Sequence, residues 1–174
     1  MYEGKYPYKR YQKTLDFLKQ VQPPPQQILD LGVDNPFSKI LRQEGYQVEN
    51  TQGEDLDIDF KTVRESKAEL VTAFEIFEHL LAPFNVLREI KADKLVTSIP
   101  LRLWFASAYR NPDDQWDQHY HEFEDWQFNW LLEKSGWRIV KTNKWTNPVK
   151  KVGIRPLLRY FTPRYYIVYA ERNK

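Results

Sequence analysis

Apolar residues along the chain fall into short runs separated by stripes at helical spacing. Ile28, Leu29 and Leu31 form one such run, interrupted by a single acid at Asp30 and ended by Gly32. The turn-prone residues Val33, Asp34, Asn35 and Pro36 follow, and then Phe37, Ile40 and Leu41 recur at the period of a helix. This order predicts a strand over Ile28–Leu31, a tight turn, and a helix from Pro36 or Phe37 to Glu44, closed by Gly45 at the position where helices favour glycine. Upstream, Leu15, Phe17 and Leu18 predict a helix over Thr14–Val21 that three prolines, Pro23 to Pro25, stop. Downstream, further strands are expected over Tyr46–Thr51, Leu56–Phe60, Leu70–Phe74, Leu95–Pro100, Trp137–Thr142 and Tyr165–Glu171. Helices are expected from Glu75, ending in the amphipathic Val86–Ile90, and over Trp126–Lys134. Strands alternating with helices point to an α/β fold with a mostly parallel sheet.

The acid in the first strand bears on function. A carboxylate in a buried strand must be hydrogen-bonded or face a ligand, because an unpaired buried charge costs several kcal/mol. Asp30 stands near the carboxyl end of its strand, where open α/β sheets bind ligands. Two readings stay open: a ligand-facing carboxylate, or one that caps the following turn.

Composition sets the outer bounds. A chain of 174 residues, 41% apolar and 29% charged, fits one soluble domain over 1–174, with 1–13 as an N-terminal arm that carries Tyr2, Tyr6, Tyr8 and Tyr11. No apolar run approaches the length that spans a bilayer and no signal pattern opens the chain, so no membrane partner is expected and the cytoplasm is the default location. With no cysteine, disulfides, zinc–thiolate sites and thiol nucleophiles are excluded. The net charge of +2 conceals a strong asymmetry. Seven acids and no Lys or Arg lie between Asp113 and Glu133, whereas ten Lys and Arg and one acid lie from Arg138 onward. That basic end either holds phosphates or a polyanion, or is a solvated face balancing the acidic stretch.

The run ILDLG, the strand after Gly45, the segment AELVTAFEIFEHLLAP from Ala68 to Pro83 and the GWRIV strand, taken together, resemble class I S-adenosylmethionine-dependent methyltransferases, in particular the small branch that carries E-x-x-E-H after its fourth strand. The resemblance covers Gln27 to Lys141. It implies a Rossmann-like sheet, mostly parallel with the last strand antiparallel, flanked by helices and abbreviated between strands two and four. It further implies S-adenosyl-L-methionine as cofactor, bound by Asp30, Gly32, Val33, Asp34 and Asn35 around the first turn and by Phe74 and Glu75 after the fourth strand. The family's ribose ligand is an acid at the end of strand two; Gln52 occupies that register, with Glu54 and Asp55 just beyond. Asp57, with Asp59 as a second candidate, is expected to meet the adenine amino group. If the segment from Glu75 is helical, Glu75, Glu78 and His79 share one face and could hold magnesium; alternatively, Glu78 and His79 satisfy neighbouring backbone, or His79 acts as a general base. The sequence departs from the family at the turn itself: one glycine replaces the usual G-x-G-x-G, and Asp34 stands where the second glycine belongs, so its side chain threatens to narrow the cofactor pocket.

After Pro100 the chain is dense in aromatics, with Trp104, Phe105, Tyr109, Trp116 and Tyr120 around His119 and His121. Such a segment either lines an acceptor cleft or packs on itself. His121 either faces that cleft, as a second catalytic candidate, or caps the next helix. The expected function is methyl transfer to a small-molecule acceptor. The alternatives are a methyltransferase-fold binding protein without turnover, and an RNA-directed enzyme using the basic segment around Lys150, Lys151 and Arg155. The acceptor atom and the oligomeric state are not encoded in any recognisable pattern.

Overall fold

The computed structural model describes residues 7–114, 117–149 and 151–173. Tyr2, Tyr6, Trp116 and Lys150, singled out above, lie outside them. In chain order the elements are α1 (Tyr8–Val21), β1 (Gln27–Asp30), α2 (Pro36–Gln43), β2 (Gln47–Asn50), α3 (Lys61–Glu65), β3 (Leu70–Phe74), α4 (Pro83–Glu89), β4 (Lys94–Pro100), α5 (Asp125–Lys134), β5 (Trp137–Thr146), α6 (Ile154–Phe161) and β6 (Pro163–Arg172). The strands form one sheet in the order β2-β1-β3-β4-β6-β5. β2, β1, β3 and β4 are mutually parallel, and β6 inserts antiparallel between β4 and β5. This is a Rossmann-like methyltransferase sheet, with its last strand reversed as expected.

Period-two alternation sorts the strand side chains onto two faces. Ile28, Leu70, Val96 and Ile167 pack with Leu15, Leu18, Phe37 and Leu41 of α1 and α2. Their neighbours Leu29, Val71, Leu95 and Val168 pack with Val63, Val86, Leu87, Phe128 and Leu132 of α3, α4 and α5. Trp137 is fully buried on that second face; its indole N–H donates to the Leu87 carbonyl at 3.2 Å, and the Arg172 guanidinium lies 3.9 Å from its ring centre.

Four elements differ from the sequence expectations. The helix expected from Thr14 starts at Tyr8, because buried Tyr11 extends the Leu15–Leu18 stripe by one turn. Leu56–Phe60 is a turn, not a strand: Leu56 is buried, but the Asp55 carbonyl accepts the amides of Ile58 and Asp59, which coils the backbone. β2 is therefore the sheet edge, the abbreviation expected between the second and fourth strands of the family. The segment from Glu75 is a bend and a single 3-10 turn, Phe77–His79, not a helix, and α4 starts only at Pro83. The long basic connection before β6 holds α6, whose Pro156 lies in the first turn, where a missing N–H is tolerated.

Because Trp137 fills the junction of α4, α5 and β5, Trp137→Ala should cost about 3–5 kcal/mol in urea unfolding. Trp130→Ala on the exposed side of α5 should cost less than about 0.5 kcal/mol.

Candidate functional site

At the carboxyl end of the parallel strands the sequence places three carboxylates, and the fold treats each differently. Asp30 is buried and accepts three side-chain hydrogen bonds, from Thr72 Oγ1 at 2.6 Å, Asn50 Nδ2 at 3.2 Å and Ser38 Oγ at 3.3 Å. Burial nevertheless pushes its pKa up to about 6, against the pull of these donors. The same residues hold the turn that follows. Asn50 Nδ2 donates to the Gly32 carbonyl, the Gly32 amide donates to Thr51 Oγ1 at 2.7 Å, and the Thr51 amide donates to the Asp30 carbonyl. Of the two readings of Asp30, the turn-organising one describes its contacts.

Gly32 has φ +132°, and an added Cβ would lie 3.3 Å from Ile76 Cδ1. The dihedral favours glycine here, whereas the Ile76 side chain would have to give only by a few tenths of an ångström. Asn35 accepts the Phe37 and Ser38 amides through Oδ1 and so caps α2. Asp34 pairs with Arg42 at 2.6 Å, and Arg42 in turn donates to Asn50 Oδ1 and the Val48 carbonyl. Val33 is half exposed beside Gly53, where an added Cβ would meet its Cγ1 at 3.3 Å.

Beyond β2, Gln52 and Asp55 are exposed, and Glu54 Oε2 accepts the Gln52 amide at 2.6 Å. Burial would raise the Glu54 carboxyl, but the Thr62 hydroxyl and local amides hold it below its ordinary range, so it is ionised. Asp57 is committed elsewhere: its two oxygens accept the Leu81 and Ala82 amides at 2.8 and 2.7 Å, tying the turn after β2 to the entry of α4. Asp59 accepts the Lys61 amide at the start of α3.

Glu75 follows Phe74 at the tip of β3 with φ +58°, a left-handed conformation that costs a non-glycine residue. Its carboxylate pairs with Arg10 of α1, whose guanidinium also lies 5.6 Å from the Tyr165 ring centre. Burial raises the Glu75 carboxyl, opposed by Arg10 and Arg164. Phe74 packs edge-on against Phe37, which stacks on Tyr11.

Glu78 is 1% exposed, and neither of its carboxylate oxygens has a hydrogen-bond partner among the described residues. Burial, and then the neighbouring Glu75 charge, raise its pKa well above that of an ordinary glutamate. His79 Nδ1 lies 3.0 Å from the Gln118 carbonyl. A carbonyl only accepts, so Nδ1 carries the proton and Nε2, 3.8 Å from Glu78 Oε1, presents a lone pair. Burial also lowers the His79 pKa, which keeps the ring neutral at pH 7. The His119 ring stands edge-on to His79 at 4.7 Å, its pKa lowered to about 4, first by burial and then by His79 and Arg164. The Tyr120 and His121 amides both donate to the Glu78 carbonyl, which docks the aromatic segment on the 3-10 turn.

One oxygen of Glu78 and one nitrogen each of His79 and His119 lie within 4.8 Å of one another. This is the set that could hold a cation, and it differs from the expected Glu75, Glu78 and His79. Because the chain bends after β3 instead of continuing as a helix, Glu75 turns to Arg10 and His119 takes its place. One carboxylate and two imidazoles suit a transition metal; magnesium, which prefers oxygen ligands, is not supported. His119 was legible only as part of the aromatic segment, since nothing in the sequence brings it 40 residues back onto His79. His121 does not join this cluster: its Nε2 faces the Leu81 carbonyl at 3.2 Å and its ring stacks on Phe123. Nor does it cap α5, which is closed by the reciprocal Glu124–Gln127 capping box.

No protein-family model and no curated protein matches this sequence. Solved structures do match over nearly the whole chain. A candidate S-adenosylmethionine-dependent methyltransferase from Listeria monocytogenes is 13% identical, with a TM-score of 0.63 over 95% of this chain and 99% of that one. The complex between the Haloferax volcanii Trm112 methyltransferase activator and its candidate methyltransferase contains a chain that is 11% identical, with a TM-score of 0.65 over 95% of this chain and 92% of that one. The [4+2]-cyclase SpnF is 12% identical, with a TM-score of 0.60 over 98% of this chain and 84% of that one. Identities this low establish a shared fold, that of the class I methyltransferases, and one of the three catalyses a cyclisation.

Asp30 provides a pH test of the turn. Its native pKa near 6 lies above the ordinary 3.8, so the native state is favoured by protonation. Its contribution to stability is fully present below about pH 4 and is lost as pH rises through about 6, a change of about 3 kcal/mol. Asp30→Asn should flatten the pH dependence of urea unfolding in that window by about this amount; an unchanged slope would refute the assignment.

Proposed function

We propose that the protein transfers the methyl group of S-adenosylmethionine to a small-molecule acceptor bound at the carboxyl end of the sheet. The observation that carries this reading is the pairing of Arg10 with Glu75 at the tip of β3, next to Ile76 and the Gly32 turn. An amino-acid moiety presents one carboxylate and one ammonium, and these two side chains offer one cation and one anion where the fold binds ligands. When bound, the cofactor supplies a sulfonium-activated methyl group. Asp30 and Asn50 fix the turn, and Gly32 leaves its backbone unobstructed. The ionised Glu54 beyond β2 can accept two hydroxyl donors, the role expected of a ribose ligand, with Gln52 and Asp55 beside it. Asp34 is held by Arg42, which answers the objection raised by its place in the turn. With its lone pair on Nε2, His79 can receive a proton from an acceptor hydroxyl or amine. Phe105 and Tyr109 supply apolar surface for the acceptor.

Calorimetric titration with S-adenosylhomocysteine should give a dissociation constant of order micromolar. Arg10→Ala should weaken it by about tenfold or more, measured below the variant's own melting temperature, which loss of the Glu75 partner lowers. Absence of binding at millimolar ligand would instead support a second reading, a methyltransferase-fold binding protein without turnover, which the single-glycine turn favours.

We further assign Glu78, His79 and His119 to a divalent transition metal, on the strength of the two unpartnered Glu78 oxygens. A cation would stabilise the Glu78 carboxylate that burial now disfavours, and the Nδ1–H contact of His79 is the outer hydrogen bond that a metal-bound imidazole usually makes. Zinc or manganese should raise the melting temperature by several degrees, magnesium should not, and Glu78→Gln should abolish the response. Equal indifference to all three ions would remove the metal and leave the Nε2 lone pair, which a bound metal would occupy, free for the base role.

A further inference from the structure

The α6 helix is amphipathic in an unusual sense: the side it turns outward is the apolar one. Ile154, Leu157 and Phe161 recur at i, i+3 and i+7 along one face, and they are 79%, 58% and 78% exposed. None of the eight residues of α6 is buried. Arg155 and Arg159 lie on the opposite, polar face, and Lys151 precedes the helix beside the fully exposed Val152. None of these three cations is in an ion pair among the described residues. A water-exposed apolar stripe is costly to maintain, and natural surfaces expose one where something covers it.

Chemistry identifies the cover. A helix with one exposed apolar face, cations on its polar face and a lysine at its start complements an interface that is apolar below and anionic at its surface, which is the boundary of an anionic bilayer. The placement of α6 agrees. It leads into β6, whose Tyr165 stands opposite Pro100 at the carboxyl end of β4, and the Arg164 carbonyl accepts the Leu101 amide there. The segment leaving β4 at this end carries Trp104, 70% exposed, and an indole of this kind settles at a lipid headgroup boundary. The absence of a membrane-length helix concerns spanning and is compatible with a helix that lies in the interface.

We propose that α6, with Trp104, docks the protein on anionic membrane surfaces, the carboxyl end of its sheet toward the lipid. The binding itself does not depend on methyl transfer and is read without cofactor. The full chain should co-sediment with vesicles of phosphatidylcholine containing about one third phosphatidylglycerol, and about tenfold less with phosphatidylcholine alone. The pair Ile154→Asp and Phe161→Asp, at exposed positions that leave the core intact, should abolish sedimentation. Arg155→Gln with Arg159→Gln should reduce it several-fold and narrow the difference between the two lipids; this second variant decides the matter if the first does not fold.

Three results would overturn the proposal. They are wild-type protein remaining in the supernatant with anionic vesicles, an apolar-face variant that sediments as wild type, and a concentration-dependent dimer in analytical ultracentrifugation that the aspartate pair dissolves, which would make a second copy of the chain the cover. Salt-sensitive binding to single-stranded RNA that survives the aspartate pair, without vesicle binding, would equally assign the basic residues to a polyanion instead.

Discussion

The structure depends on how a desolvated carboxylate is satisfied at the carboxyl end of a parallel strand. Asp30 is surrounded by apolar strands and would be prohibitive alone. Thr72 from β3, Asn50 from β2 and Ser38 from α2 each donate to it, so one side chain ties three neighbouring elements to the end of β1. Asn50 also reaches the Gly32 carbonyl, and the Gly32 amide returns to Thr51. The left-handed glycine turn is thereby closed between β1 and β2 by the fold itself, so its conformational cost is met by folding.

Glu75 and Glu78 are resolved by other means. Glu75 recruits a charge from the first helix, so Arg10 becomes part of the site although it lies 65 residues away in sequence. Glu78 recruits nothing: two buried oxygens without partners sit near two neutral imidazoles. A protein retains such a group where a bound species or a moving proton compensates it, because replacement by an apolar residue would otherwise stabilise the fold. The three acids thus divide into one that builds the turn, one that marks a charged contact, and one that is incomplete without something further.

Much of the fold was legible because its signals are local. The Ile28–Leu31 run, Asn35 before Pro36, Gly45 after α2 and the alternation in Tyr165–Glu171 each act over a few residues. The failures came where a longer-range contact overrode local pattern. Leu56–Phe60 alternates like a strand, yet the Asp55 carbonyl coils it and Asp57 is spent on the Leu81 and Ala82 amides. The E-x-x-E-H spacing promised one helical face, but the left-handed Glu75 breaks the chain's direction, and the third donor arrives from His119 instead. Asp34 looked obstructive because the sequence could not show that Arg42, eight residues on, reaches back along α2 to take it.

Those departures share one consequence. With Leu56–Phe60 coiled, β2 becomes the sheet edge and the turn beyond it is short enough for Asp57 to clamp the entry of α4. The clamp holds Leu81 and Ala82, and the Leu81 carbonyl in turn faces His121, while the Glu78 carbonyl receives the Tyr120 and His121 amides. The shortened edge on one side of the sheet therefore reaches, through the Asp57 carboxylate and the Leu81 and Glu78 carbonyls, the aromatic segment that carries His119. Asp57, an acid expected near adenine, is thereby spent on the Leu81 and Ala82 amides, and it ties the turn after β2 to the segment that carries His119.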